Sequence, residues 1–223
     1  MTLGQMKALV SQRLNEAGNP VFYPASEIQN ALNESQRLWC LLTLCLEKTA
    51  TWNTAPTWTH LLPLIPDYLA PLRLTTQTGM KVRPARISEL FALDSQWPAS
   101  VGPTYRYVAL GADLVGIYPT WPQPLQLQYA GSPATLVADA DTPQIPAEFH
   151  EQLVKFGCYR LRMVEGGAEF AKVLPLLDEF LSVADEYAKY VRARNIGAGY
   201  DSLPFELSSF DRSLLVGKAK GRK

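Results

Sequence analysis

Residues 37–60 read RLWCLLTLCLEKTATWNTAPTWTH, and the fold turns on where the helical pattern in that stretch gives out. Up to Leu46 the run continues an apolar stripe of Ile28, Leu32, Ser35, Trp39, Leu42 and Leu46 at helical spacing. After Leu38 the helix is apolar nearly all round. Such a helix is buried on several sides, in a core or against a partner subunit. Near residue 49 the character changes. Eleven of the 17 prolines fall between Thr49 and Thr135, and few charges do. Proline removes a backbone donor and clashes with the preceding turn, so long helices are excluded there.

Toward the N-terminus the pattern is helical. Thr2 reads as an N-cap, with Gln5 as its capping-box partner. Leu3, Met6, Val10, Leu14 and Ala17 form one stripe, and Gly18 and Asn19 supply a left-handed stop. Ser26 is the expected cap of the second helix, with Pro24 blocking an earlier start.

Toward the C-terminus short β-like runs are expected at Thr57–Leu64, Leu72–Gln77, Thr104–Leu110, Asp113–Tyr118 and Leu125–Ala130. Gly111-Ala112-Asp113 reads as the turn of a hairpin. Leu125, Leu127 and Tyr129 alternate with polar or small residues, as a half-buried strand requires. Ile87–Leu93 reads as a short helix. Helical pattern returns after Pro146, with Phe149, Leu153, Phe156, Tyr159 and Met163 in one stripe that ends at Gly166-Gly167. A last helix carries Phe170 to Val191, kinked or started by Pro175. Gly197 and Gly199 break it. The expected fold is α+β: a helical bundle from N- and C-terminal helices, an inserted small antiparallel β-domain and an extended C-terminal tail. Its divisions are residues 1–48, 49–140, 141–195 and 196–223.

Composition narrows the function. The chain has 223 residues, 47% hydrophobic and 19% charged, with 21 basic and 21 acidic side chains. It can bury a core without staples. With no excess of Lys and Arg, binding of nucleic acid driven by bulk charge is not expected. Cys40, Cys45 and Cys158 are an odd number without ligand-like spacing; Cys40 and Cys45, five apart in an apolar helical run, read as two buried small hydrophobes, and a reducing compartment fits. The N-terminus lacks a basic start followed by an apolar core, so it does not read as a signal peptide. No run reaches the ~20 apolar residues of a membrane span. The expectation is synthesis and folding in a cytoplasm.

Catalytic patterns do not emerge. His150-Glu151 would need a second histidine at 154 for a zincin face, and Val154 stands there. His60 is the other histidine. Phosphate-loop, dinucleotide and nucleophile-elbow motifs are absent. Asp113, Asp139 and Asp141 lack the turn glycine and distal Glu of a calcium loop. Glu148, Glu151 and Asp67 are conceivable paired carboxylates, but nothing selects a pair. Trp52, Trp58, Trp97 and Trp121 read as β-domain core first, and as an interface or sugar platform second. Lys81, Arg83 and Arg86 form a short basic cluster, a solvated face or a phosphate-facing patch. No cofactor and no metal is expected.

The tail, Tyr200–Lys223, carries large apolar residues without helical or strand period and ends in four cations. Such a segment buries its side chains on something else. Docking on a partner or neighbouring subunit is the preferred reading. Folding back on its own domain is the other.

The order of these features resembles the head-to-tail connector (adaptor, head-completion) proteins of tailed bacteriophages. The carrying pieces are Tyr23 to Glu34, Leu61-Leu62-Pro63-Leu64-Ile65-Pro66-Asp67-Tyr68 and Leu90 to Trp97. They continue with Gly102-Pro103-Thr104-Tyr105, Ile117-Tyr118-Pro119, Pro133 to Leu136 and Asp141 to Phe149 before a helix pair. The resemblance covers about residues 1–194 and leaves the tail unmatched. It implies a homo-oligomeric ring, commonly of twelve copies, beneath the portal at one capsid vertex. That ring sits in the virion neck, extends the DNA channel without sequence-specific binding and meets tail proteins. The protein would be structural, without catalysis. The portal contact is expected in the tail, at Phe205, Phe210, Leu214, Leu215, Lys218, Lys220, Arg222 and Lys223. A peptidoglycan-cleaving enzyme and a carbohydrate- or receptor-binding module are the alternatives.

Overall fold

The computed structural model describes residues 1–14, 22–52, 61–63, 65–110, 114–121, 123–165, 167–197 and 199, with backbone alone at 61–63, 109, 165 and 167–171. Helix α1, Leu3–Arg13, starts at the Thr2–Gln5 capping box. Its first free amides are satisfied from far along the chain: Leu3 N donates to Asp141 O (2.8 Å) and Gly4 N to Asp139 O (3.0 Å). Helix α2 spans Ala25–Thr43 and begins directly after Pro24, which stands at the cap. Ser26 is therefore inside the first turn and caps nothing. The helix stops at Leu44, which adopts φ 53°, a left-handed conformation costly for a residue with a β-carbon. Leu46 consequently falls beyond the helix. The expected stop at Gly18-Asn19 lies outside the described residues.

Helix α3, Ile87–Leu93, occupies the expected span. Pro146 precedes a 3-10 turn, Ala147–Phe149, that leads into α4, His150–Glu165. Helix α5 runs Gly167–Gly197 with Pro175 in its interior, so the proline does not mark its start. Apolar faces of α1, α2, α4 and α5 share one core with Leu136 and Ile145. At its centre Trp39 is fully buried and its ring lies 4.8 Å from Phe149 and 5.5 Å from Phe180.

Among the described residues seven strands form one curled sheet in the order β1-β7-β3-β4-β5-β6-β2. They are β1 Glu47–Trp52, β2 Leu61–Pro63, β3 Tyr68–Thr76, β4 Lys81–Pro84, β5 Arg106–Leu110, β6 Leu114–Tyr118 and β7 Leu125–Gly131. Five match expected runs. In the first of these, Thr57–Leu64, only Leu61–Pro63 is described as strand. Strands β1 and β4 were not expected: β1 begins directly after the apparent helical run, across the expected boundary at 48/49, and β4 has a single buried residue, Val82. The β5–β6 hairpin forms as read, and its turn, 111–113, lies outside the described residues.

The sheet is not wholly antiparallel, because β4 pairs with β5 in parallel. A parallel pair needs a crossover. Here α3 and a 3-10 turn at Trp97–Ala99 supply it, laying Leu90 and Trp97 on Val108 and Tyr118. The opposite face of the sheet encloses Trp52, Leu74, Val82, Tyr107, Ile117, Leu125 and Leu127. A polar node ties β1, β7 and the turn before β3. Lys48 Nζ donates to Asp67 Oδ2 (2.6 Å) and Ser132 O (2.7 Å), and Tyr129 donates to Asp67 Oδ1 (2.9 Å).

Candidate functional site

Strand register gathers cations that are scattered in sequence. Along β3 and β4, Thr75 faces Lys81 and Leu74 faces Val82, so one step on Arg73 lies beside Arg83. In β5, Arg106 is the direct neighbour of Arg83. Three guanidinium-bearing positions thus form one row across three adjacent strands, spaced about 4.8 Å apart. Gln128 and Thr49 extend the row on one side, and Tyr118 ends it on the other. Lys81 adds a fourth cation two residues along from Arg83. Arg86 follows at the start of α3.

This row is electrostatically unusual. Like charges directly opposite each other across strands are destabilising. Among the described residues no carboxylate pairs with Arg73, Arg83, Arg86 or Arg106. The buried Nε atoms of Arg73 and Arg106 have no hydrogen-bond partner. Glu89 is near, but its carboxylate accepts from Arg86 N (3.2 Å) at the start of α3. An open pocket of about 330 Å³ lies beside the row, lined by Glu89, Ala92, Leu93 and Arg106. Leu93 in its lining is a large exposed apolar side chain, and Ile87 and Phe91 on the same helix, α3, are exposed too. The face can bind a ligand that offers both carboxylates and apolar groups, since arginine takes carboxylates in a planar fork.

Sequence alone assembled only part of this site. Lys81, Arg83 and Arg86 are adjacent in the chain. Arg73 and Arg106 are not, and only strand register reveals them. Their one advance signal is that residues 49–140 contain just five cations, all of them in this set.

The candidate chemical centres do not come together. His150 is buried, with Nε2 on Ile145 O (2.9 Å) and Nδ1 on the Met1 amine (2.8 Å). His60 lies outside the described residues. Among the described residues no group of three His, Cys, Asp or Glu could hold a metal. Asp139 pairs with Lys7 at 2.8 Å. Asp141 accepts from Val137 N (2.7 Å) and Ala138 N (2.8 Å), bonds that hold its carboxyl below the usual range. These aspartates shape the loop that receives α1, and Asp113 lies outside the described residues. Glu151 is paired with Arg13 on the helices, whereas Asp67 sits in the node beside Lys48 in the sheet. The Lys48 hydrogen bond, and then that from Tyr129, hold Asp67 below the usual range. These carboxylates do not share a cleft.

Trp52 and Trp97 are buried in the sheet's two clusters, Trp121 is half-buried, and Trp58 lies outside the described residues. Of the two cysteines read as buried, Cys40 is buried and Cys45 only half-buried; Cys158 is buried as well. A hydrogen bond from Cys40 lowers the Cys45 thiol to about 7 and, with burial, drives Cys40 upward. Burial pushes Cys158 up to about 11. The tail residues Phe205, Phe210, Leu214, Leu215, Lys218, Lys220, Arg222 and Lys223 lie outside the described residues.

The sequence model of the SU10 adaptor protein family matches residues 1–201. The chain belongs to the SU10 adaptor protein family. The connector resemblance is thereby borne out at the level of the family, and this family member is a phage structural adaptor protein. No curated protein matches the chain. Among the described residues no helix is long and apolar enough to cross a membrane.

Proposed function

We propose that this adaptor is a structural part of the virion neck, where copies close into a ring of about a dozen beneath the portal. The ring extends the DNA channel and offers a platform to tail proteins. It has no catalytic role. The family match over residues 1–201 carries the reading. The α1, α2, α4 and α5 core is consistent with a helical bundle spanning residues 1–48 and 141–195, into which residues 49–140 are inserted. A closed ring needs two different faces on each subunit. Exposed apolar side chains on the helices and their connecting loop, among them Leu41, Val137, Val164 and Tyr190, are available for such faces. The neutral chain suits a conduit that lets DNA slide. Residues 196–223 reach the portal, through Phe205, Phe210, Leu214, Leu215, Lys218, Lys220, Arg222 and Lys223.

Electron microscopy of the protein mixed with its phage's purified portal tests this, with portal alone as control. The expected result is a second ring stacked coaxially on the portal, whose symmetry gives the copy number. A chain truncated after Gly199 should keep its fold and lose the portal. Normal portal binding by that truncated chain would refute the tail assignment. A folded full chain that never joins the portal would refute the connector role.

A further inference from the structure

The described chain ends on the cationic face. Lys81 Nζ donates to Gly199 O (3.0 Å), and Gly199 adopts φ 76°, which turns the chain away from the axis of α5. The next residues read Tyr200-Asp201-Ser202-Leu203-Pro204-Phe205-Glu206-Leu207-Ser208-Ser209-Phe210-Asp211. Carboxylates recur every five residues, with leucine and phenylalanine between them. That is the complement of a row of arginines with exposed Leu93 beside Arg106.

Reach is sufficient. Two residues past Gly199, Asp201 can lie up to about 7 Å away, and Arg83 is about 7 Å along β4 from Lys81. Glu206 and Asp211 extend the reach by about 17 Å each. Nucleic acid is the weaker fit. Its interfaces are polar and basic, whereas Arg106 shares its pocket with Ala92, exposed Leu93 and the carboxylate of Glu89, which suits a protein segment better than a polyanion.

We propose that in the free adaptor the segment Asp201–Asp211 lies in cis across Arg73, Arg83 and Arg106, its carboxylates on the guanidinium groups and its apolar side chains over the α3 edge. This contact holds Phe205 and Phe210 until a stronger partner displaces it. The displacement by a portal rests on the connector reading above, and the cis contact does not.

Hydrogen exchange of the isolated full chain tests the contact without any portal. Amides of 203–211 should exchange at least about tenfold more slowly than in the same free peptide. The variant Arg73→Gln/Arg83→Gln/Arg106→Gln should lose that protection while its circular dichroism stays unchanged. A second variant, Asp201→Asn/Glu206→Gln/Asp211→Asn, should lose it too, and it alters no residue of the sheet. Free-peptide exchange in the unmodified chain overturns the proposal, as does protection that survives the second variant. Protection that rises with protein concentration overturns it in favour of a second copy. Retention of a short DNA duplex by the unmodified chain, lost in the arginine variant while exchange at 203–211 is equal in both, overturns it in favour of nucleic acid. Where the cis contact holds, the second variant should bind portal about tenfold more tightly, because the competing state is gone.

Discussion

Replacing Gly116 with alanine probes how firmly α3 is seated on the sheet. A β-carbon at Gly116 would stand 3.0 Å from Leu110 Cδ1, 3.1 Å from Trp97 Cη2 and 3.1 Å from Val108 Cγ1. Carbon contacts are best at about 3.5–4.0 Å, so all three are short by about half an ångström. Trp97 and Val108 are buried with Leu90 and Tyr118 and cannot retreat into solvent. Overpacking of this kind costs about 1–3 kcal/mol. Alanine's narrower unfolded ensemble offsets about 0.4–1 kcal/mol. The net expectation is a loss of about 0–2.6 kcal/mol, centred on about 1.3, toward the upper part because three contacts are short at once. Urea unfolding followed by tryptophan fluorescence reads it, as a midpoint lowered by about 0.5–1 M at an unchanged slope. An equal or higher midpoint would refute the close packing of the crossover on β6, and with it the fixed wall beside Arg106.

Trp39→Ala should cost about 3–5 kcal/mol, read by the same unfolding curves, because the ring is fully buried among Phe149, Phe180 and Tyr187. Asp67→Asn should cost about 1 kcal/mol or less at pH 7, since the pair with Lys48 is partly solvated. The folded carboxyl titrates below its unfolded value, so this contribution is full above the ordinary carboxylate range and is lost as pH falls through the folded pKa. Stability curves of the two proteins should therefore converge in acid, and a gap that widens there would refute the ionised pair. Iodoacetamide at neutral pH should label Cys45 first, with a rate that rises around pH 7, while Cys40 and Cys158 lag. Peptide mass mapping distinguishes the three, and preferential labelling of Cys40 would reverse the assignment.

Elements with a strong local pattern were legible in advance. The Thr2 capping box, the α3 span and the β5–β6 hairpin each follow from a few neighbouring residues. The junction at Leu44–Leu46 was not, because the chain leaves α2 through a left-handed leucine where glycine would have announced the stop. The parallel β4–β5 pair was hidden for another reason. Pairing direction depends on which way a crossover returns, and no residue of Lys81–Pro84 encodes that. The site divides the same way. Three clustered cations were visible, but Arg73 and Arg106 joined them only through register, which is a property of the sheet and not of any window of sequence.

The path leaves the helices at Leu46 and returns at Gly131, and Gly131 N donates to Leu46 O (2.8 Å). The first and last strands, β1 and β7, lie side by side from Glu47↔Ala130 onward. The chain thus enters and leaves this region through neighbouring ends, braced by Lys48, Asp67 and Ser132. A lineage can therefore lengthen, shorten or replace the sheet while the helices keep their route. Any replacement needs only two neighbouring outer strands that start and finish a hydrogen bond apart. The sheet-bearing half of the molecule can change while the helical half keeps its packing.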